Sequence, residues 1–466
     1  MLLAAFAATL VLNELGSWLM VSAIAAAIAF LPKHRRLLLT LGALYRLIFH
    51  HTWLNRDFMR AIASTEGQRT DWTLTLATGV ALAGIFVGIA TFFHYVRTRQ
   101  LSFVSRRPVL VLVSVYFAML AAAGILPMHG LARVLVWVFL AVLAPYLWFF
   151  AYVLADAASK TPDGFAMQVG CIQPFWMAPF NSGTPIAKGA AYLRKIEAAT
   201  AKDFSTVQLK GVKLALWVFV LDCLLRCFTV IVHGGNLGLL HGLLNITNAP
   251  NLGVPTLEAA LQQTAAGVRV PIHLAWACVA AHFAETVLLL YVTGNLAVAC
   301  CRMAGFNALR NTYRPLQSAT IAEFWNRYYY YFKELLVDFF FFPCYRRYFK
   351  KYRRLRLFVA TLSAASLGNM LYHFSRDYHY VAELGFWRAV SGFHVFAVYT
   401  LVLGIGIGIS QLRNRRQQTA LHAARRVLAS VSVIFFFAIL ETLNSENRVY
   451  PLPVHLRFLW NMVYIF

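Results

Sequence analysis

"EFWNRYYYYFKELLVDFFFFP", Glu323 to Pro343, is the stretch on which the topology of this chain turns. Glu323 and Arg327 flank a Phe-Trp-Asn run, four consecutive tyrosines follow, and Lys333, Glu334 and Asp338 then precede four phenylalanines. A helix crossing a ~30 Å hydrocarbon core needs about 20 predominantly apolar residues, and this segment carries too much charge for that. It is also too aromatic for a solvated loop. Whether it crosses decides on which side of a membrane everything after it lies.

The remainder reads as membrane. Of 466 residues, 60% are hydrophobic and only 13% charged, with a mean hydropathy of +0.62. Apolar runs at 2–31, 37–54, 72–96, 109–127, 131–155, 212–233, 272–301, 357–374, 386–410 and 427–443 are each about long enough to span. The expectation is an all-α, polytopic membrane protein with about ten transmembrane helices, a single membrane-embedded domain over 1–466. The first run starts at Leu2 with no Lys or Arg before it, so it reads as a retained span rather than a cleavable signal. There is no internal repeat.

Basic clusters set the orientation. They are "PKHRR" (32–36), "RTRQLSFVSRR" (97–107), "YRRYFKKYRRLR" (345–356) and the arginines of 413–426. Cytoplasmic loops are enriched in Lys and Arg, and all four clusters share one side only if 323–342 does not cross. The stretch is therefore expected to be a re-entrant or interfacial helical segment that begins and ends on the cytoplasmic face. Such structure is tolerated where it is buried in protein or lines a cavity. The loop 156–211 then lies in the cytoplasm and 234–271 outside. The net charge of +24 is explained by topology, and no nucleic-acid-binding module accompanies it. The Ala- and Arg-rich composition points to a bacterial cytoplasmic (inner) membrane.

Ionisable groups inside spans are costly and each needs a reason. Asp222 and Arg226 are four apart on one helix, which suits an internal ion pair. His282 and Glu285 share a face and could form a proton relay, half of a metal site or a helix–helix hydrogen bond; with no second such pair, the hydrogen bond is favoured. Glu14 stands alone. The seven cysteines show no CxxC and read as small core residues, and no metal site is expected. In "SLGNMLYHFSRD" (366–377), His373 sits late in an apolar helix, with Asn369 one turn earlier on the same face and Tyr372 beside it. A desolvated imidazole stays neutral at pH 7 and can accept a proton from a hydroxyl. A structural hydrogen-bonding role is the plainer reading of that histidine alone.

The order of features along "GFNALRNTYRPLQSATIAEFWNRYYYYFKELLVDFFFFP" (305–343), then a basic loop, then His373, resembles the membrane-bound O-acyltransferase (MBOAT) family, closely over about 300–400. Gly305-Phe306, Arg314-Pro315, Ser318, Glu323-Phe324-Trp325 and Arg327 match its bacterial motif in type and spacing, and His373 corresponds to the family's histidine. The chain departs from the pattern at three places. Tyr329 stands where the family has His or Asn, Tyr328 replaces a Trp, and Tyr372-His373-Phe374 replaces Trp-His-Gly.

The resemblance implies acyl transfer from a cytoplasmic thioester donor, acyl-CoA or an acyl carrier protein, to a hydroxyl of an envelope polysaccharide, glycolipid or lipid, with no bound cofactor. His373 would be the base, and Asn369 or Tyr329 would hold the imidazole or the developing oxyanion. Trp325, Arg327, Glu323, Tyr328, Tyr372 and Arg314 are the expected substrate-binding residues, on the wall of a tunnel through the membrane. Arg327 and Lys333 would meet the donor's phosphate or close ion pairs with Glu323 or Glu334. The loop 345–356, with seven Lys or Arg, suits an acidic donor and equally suits anionic lipid headgroups. An extracytoplasmic acyl-transfer partner is a further expectation. Two other classes compete: a transporter or flippase for a lipid-linked glycan, using the intramembrane polar pairs, and a non-catalytic MBOAT homologue acting as a scaffold.

Overall fold

The computed structural model describes residues 56–67, 70–157, 188–234, 251–413, 423–444 and 450–464, with scattered residues between 23 and 41. Among the described residues the chain is helical, and its one β-contact is an isolated bridge between Glu197 and Phe306. Among the described residues seven helices are long and apolar enough to cross a membrane, the architecture of an integral membrane protein.

The first group comprises α1 (Thr70–Thr98), α2 (Pro108–Ile125) and α3 (Gly130–Asp156). The most apolar window of α3 is 78% buried, against 39% and 33% in α1 and α2. Its sequence explains why. Trp137, Tyr146, Trp148, Phe149 and Phe150 occupy every side of the helix and all are buried, and a helix apolar all round belongs inside protein or lipid.

The second group pairs α4 (Ala201–His233) with α6 (Ile272–Met303). Gly211 allows the close approach, since a Cβ there would lie 2.7 Å from the Met303 backbone nitrogen and 2.9 Å from the Ala299 carbonyl oxygen. The other faces of α4 expose Leu209, Leu216, Trp217 and Leu224. Between these helices, α5 (Leu257–Ala265) starts at Thr256, whose hydroxyl accepts from the Ala259 N–H.

The opening stretch forms α7 (Ile321–Tyr328), breaks at Tyr329, and resumes as α8 (Tyr330–Leu336), which runs on through a wide π-type stretch, Val337–Phe341, to Arg347. Its two ends meet the same end of the neighbouring helices. The Ala322 N–H donates to Ser410 Oγ, the Tyr345 carbonyl accepts from Arg356, and a Cβ on Gly408 would meet the Phe358 ring. The next span, Arg353–Ser375, is α9 (Arg353–Leu362), a second π stretch (Ser363–Gly368) and α10 (Asn369–Ser375). The two π stretches pack on one another at Gly368. After it come α11 (His394–Leu412), α12 (Ala423–Glu441) and α13 (Leu452–Asn461).

The expected spans fare unevenly. Runs 72–96, 109–127, 131–155, 272–301 and 357–374 correspond to helices within a few residues. Run 212–233 is the end of a 33-residue helix beginning at Ala201, capped where Thr200 accepts from the Asp203 N–H, so the loop expected over 156–211 is shorter. Run 386–410 is two helices. Phe386–Gly392 is separate from α11, and Gly385, at φ 80°, sets the turn that opens it. Run 427–443 corresponds to α12, which stands outside the set of seven. Runs 2–31 and 37–54 lie largely outside the described residues. The loop expected over 234–271 contains α5, which packs with α13 over the start of α6 in a small apolar core of its own, including Leu261, Val279 and Phe458.

Candidate functional site

The break at Tyr329 positions the candidate site. Tyr329 has φ −142° and ψ 78°, outside the helical region, with neither Gly nor Pro nearby to cause it. A break leaves backbone groups without helical partners, and here the segment 311–313 supplies them. The Asn311 carbonyl accepts from the Tyr330 N–H (2.8 Å) and its side-chain oxygen from the Tyr331 N–H (3.2 Å). Thr312 Oγ1 donates to the Tyr328 carbonyl (2.7 Å), and the Tyr313 N–H donates to the Arg327 carbonyl (2.9 Å). Asn295, fully buried on α6, holds this segment from behind. It donates to the Thr312 carbonyl (3.2 Å) and accepts from the Asn311 N–H (3.1 Å).

The i,i+4 geometry of α7 sorts its side chains into three sets. Trp325 and Tyr329 lie against Phe332, with ring centroids at 6.0 and 5.6 Å. From the other side Phe332 meets Tyr372 at 4.7 Å and His373, edge-on, at 5.9 Å. The His373 ring also packs on Phe396 of α11 at 4.6 Å, and Tyr372 on Trp148 of α3 at 5.3 Å. Four expected residues (Trp325, Tyr329, Tyr372 and His373) therefore converge on one phenylalanine.

The second set is separate. Glu323 and Arg327 form an ion pair at 2.7 Å, each about a third exposed, and Glu323 also accepts from the Ala319 N–H at 2.9 Å. Arg314, left-handed at φ 50°, adjoins them through its carbonyl, 3.4 Å from the Arg327 guanidinium. The third set faces α12. Tyr328 is 5% exposed, its ring lies 5.0 Å from Phe324, and its hydroxyl has no hydrogen-bond partner among the described residues. Glu323, Arg327, Arg314 and Tyr328 thus do not join the cluster around Phe332.

Asn369 is 2% exposed, and its side-chain oxygen accepts from no group among the described residues. The orienting bond to His373 through this oxygen is not formed. A buried acceptor without a donor calls for an explanation, such as strain, a ligand or water. It follows directly on the π stretch Ser363–Gly368, and such stretches frequently mark functional sites.

The charged groups of the stretch are largely paired. Lys333 bonds to Glu334, Lys188 bonds to Glu334 and lies 3.5 Å from Asp338, and the Tyr152 hydroxyl donates to Asp338 at 2.9 Å. Burial pushes the Glu334 carboxyl up, but the hydrogen bonds from Lys188 and Lys333 outweigh it and hold the group below the ordinary carboxylate range. Arg327 and Lys333 thus both close ion pairs, the second of the two roles foreseen for them. The pair Asp222–Arg226 forms within α4 at 2.8 Å, and Glu285 bridges helices by accepting from Thr229 at 2.6 Å.

Three cavities are prominent among the described residues. One of about 660 Å³ lies between α11, α12 and the start of α7, lined by Thr320, Gly406, Ser410, Arg413 and Phe436 among others. One of about 500 Å³ lies between α4, α5, α6 and the end of α12, and one of about 530 Å³ is an apolar groove on α1–α3. His373 lines none of the three; its ring packs against Phe332 and Phe396 instead. Phe332, Phe396, Asn295 and Asn311 are the structurally decisive residues that the sequence did not single out.

No protein-family model matches this chain, and no curated protein matches it.

Proposed function

We propose that the protein is a membrane O-acyltransferase that moves an acyl group from a cytoplasmic thioester to a hydroxyl of an envelope polysaccharide, glycolipid or lipid. The observation that carries the reading is the convergence on Phe332. A broken segment whose two ends share one end of the bundle delivers Trp325 and Tyr329 to the same ring that touches Tyr372 and His373. On this reading the segment is re-entrant and the membrane domain is MBOAT-like.

The chemistry needs a base for the acceptor hydroxyl and a donor for the oxyanion. His373, packed among aromatic rings, takes the hydroxyl proton as the oxygen attacks the thioester carbon. The tetrahedral oxyanion collapses and the thiolate leaves, accepting the proton that His373 holds. On this reading the Tyr329 phenol, a donor as well as an acceptor, meets the oxyanion. The Asn369 amide, one turn before His373, adds a polar group beside it. The basic stretch 345–356 faces the donor's side, where its seven cations attract an acidic carrier protein or coenzyme A.

The test is whether membranes containing the protein transfer label from an acyl-thioester pool into the envelope fraction, in parallel with the transbilayer movement of a fluorescent lipid-linked glycan. Label transfer without glycan movement supports the enzyme. Glycan movement without label transfer replaces it with the transporter reading.

A further inference from the structure

The cavity of about 660 Å³ between α11, α12 and the start of α7 is not lined by His373 and has a form of its own. Its walls follow from the sequence. On α11, Val402, Ile405, Ile409 and Arg413 line it, one residue per turn along a single face. On α12, Ala429, Ser432 and Phe436 do the same. Two facing stripes of this kind commonly pack ridge into groove, but here a cavity separates them. The opposite side of α11 is filled. A Cβ on Gly404 would meet Leu362 at 3.1 Å, and one on Gly408 would meet Phe358 at 2.6 Å. Toward α12 the helices touch where the Phe436 ring reaches Gly406.

The length and charge of this groove are its second and third features. Arg413 follows Val402 by 11 residues, roughly 16 Å of helix rise. That is about half of a ~30 Å hydrocarbon core, the depth of one leaflet. Over this length the α11 wall changes from Val and Ile to Ser410 and then Arg413. α12 returns antiparallel to α11, so its wall changes in the same direction. Arg425 and Arg426 lie one turn before Ala429 on the same face, at the Arg413 end, and both are exposed. Two hydroxyls line the cavity near that end. Ser410 Oγ accepts from the Ala322 N–H at 3.2 Å and Thr320 Oγ1 from the Glu323 N–H at 3.1 Å, so each hydroxyl still has a hydrogen to donate.

The surroundings say what fills the groove. Val402 and Ile409 within it, and Leu428 and Val431 beside it on α12, are exposed. Apolar surface of this kind on a spanning bundle belongs in hydrocarbon, so the groove opens sideways onto lipid. An acyl chain suits the Val and Ile portion, and a negative headgroup suits the arginine end.

We infer that this groove holds one acyl chain of an anionic glycerophospholipid, its headgroup phosphate lying among Arg413, Arg425 and Arg426. The hydroxyls of Ser410 and Thr320 donate to the headgroup oxygens. Because Thr320 caps α7, the lipid ties the start of that helix to α11 and α12. The site requires no acyl-transfer activity and can be tested without it.

The experiment uses full-length protein, delipidated in detergent, and follows the thermal midpoint as dioleoyl phosphatidylglycerol is added. Dioleoyl phosphatidylcholine, which has the same chains and phosphate but no net charge, and inorganic phosphate are the matched probes. The expected result is a saturable rise with phosphatidylglycerol, an apparent affinity weaker by about tenfold or more for phosphatidylcholine, and no response to inorganic phosphate. Arg413→Gln, at an exposed position, removes one of three cations and should weaken the phosphatidylglycerol affinity about fivefold, with phosphatidylcholine binding unchanged. Ser432→Phe, also at an exposed position, fills the groove and should abolish the saturable response to both lipids. Equal affinities for the two lipids, a matching rise with inorganic phosphate, or unchanged phosphatidylglycerol affinity in both folded variants would overturn the proposal.

Discussion

Gly368 is where the α8 segment meets the helix that carries His373, and substituting it sets two effects of opposite sign against each other. Gly→Ala inside a helix stabilises by about 1 kcal/mol, because alanine loses less backbone entropy. At Gly368, however, an added Cβ would lie 2.7 Å from Phe340 Cδ2, 2.8 Å from its Cγ and 3.0 Å from Leu336 Cδ2. Cγ is tied closely to the backbone, so the ring cannot swing clear, and overpacking of this kind costs roughly 1–3 kcal/mol. The upper half of that range applies here, and Gly368→Ala is expected to destabilise by about 1–2 kcal/mol net. In a thermal melt of the detergent-solubilised protein this is a fall of roughly 1–2 °C. Phe340→Leu should cost about 1 kcal/mol alone, yet combined with Gly368→Ala it should recover most of the loss, giving a favourable coupling of about 1–2 kcal/mol. A Gly368→Ala protein that melts higher than wild type, or strictly additive losses in the double variant, would refute the packing of the two π stretches.

Asn295→Leu removes both buried bonds to the 311–313 segment and leaves the Asn311 N–H and Thr312 carbonyl unpaired; a loss of roughly 2–4 kcal/mol is expected, read as a lower melting midpoint. Glu323→Gln breaks a partly exposed ion pair, so it should change stability by less than about 1 kcal/mol, checked in the same melt. The depressed Glu334 carboxyl contributes stability that is present above its unfolded value of 4.5 and lost as pH falls through its lower folded value. Lys188→Met removes one of the partners that lower it, so melting midpoints measured from pH 3 to 6 should show the acid-sensitive step move to higher pH in the variant.

The membrane character and five of the helices were readable from hydropathy and length, because a span must be apolar along its whole run. Trp325 and Tyr329 could be grouped from spacing alone, since residues four apart share a helix face. That Glu323 and Arg327 stand away from them follows from the same geometry, but which face meets His373 depends on tertiary packing. Phe332 carried no mark among 37 phenylalanines; it matters only because it lies between two segments distant in sequence. The break at Tyr329 was hidden for a related reason. No Gly or Pro announces it, and the groups that satisfy it come from Asn311, Thr312 and Tyr313, held in turn by Asn295, 34 residues upstream of the break. Asn369 shows the limit of spacing from the other direction. It lies one turn from His373, as expected, yet its oxygen is unpartnered among the described residues.

The central claim is that His373 is the base for acyl transfer, and the most direct measurement is the transfer rate of wild type against His373→Ala at matched protein levels. Label would be followed from a verified acyl-thioester pool into the envelope fraction. A general base contributes about 10²–10⁴-fold, so the variant should transfer at least a hundredfold more slowly while melting within a few degrees of wild type, and Tyr329→Phe should fall between the two. Equal transfer by wild type and His373→Ala would contradict the account and remove His373 from the chemistry.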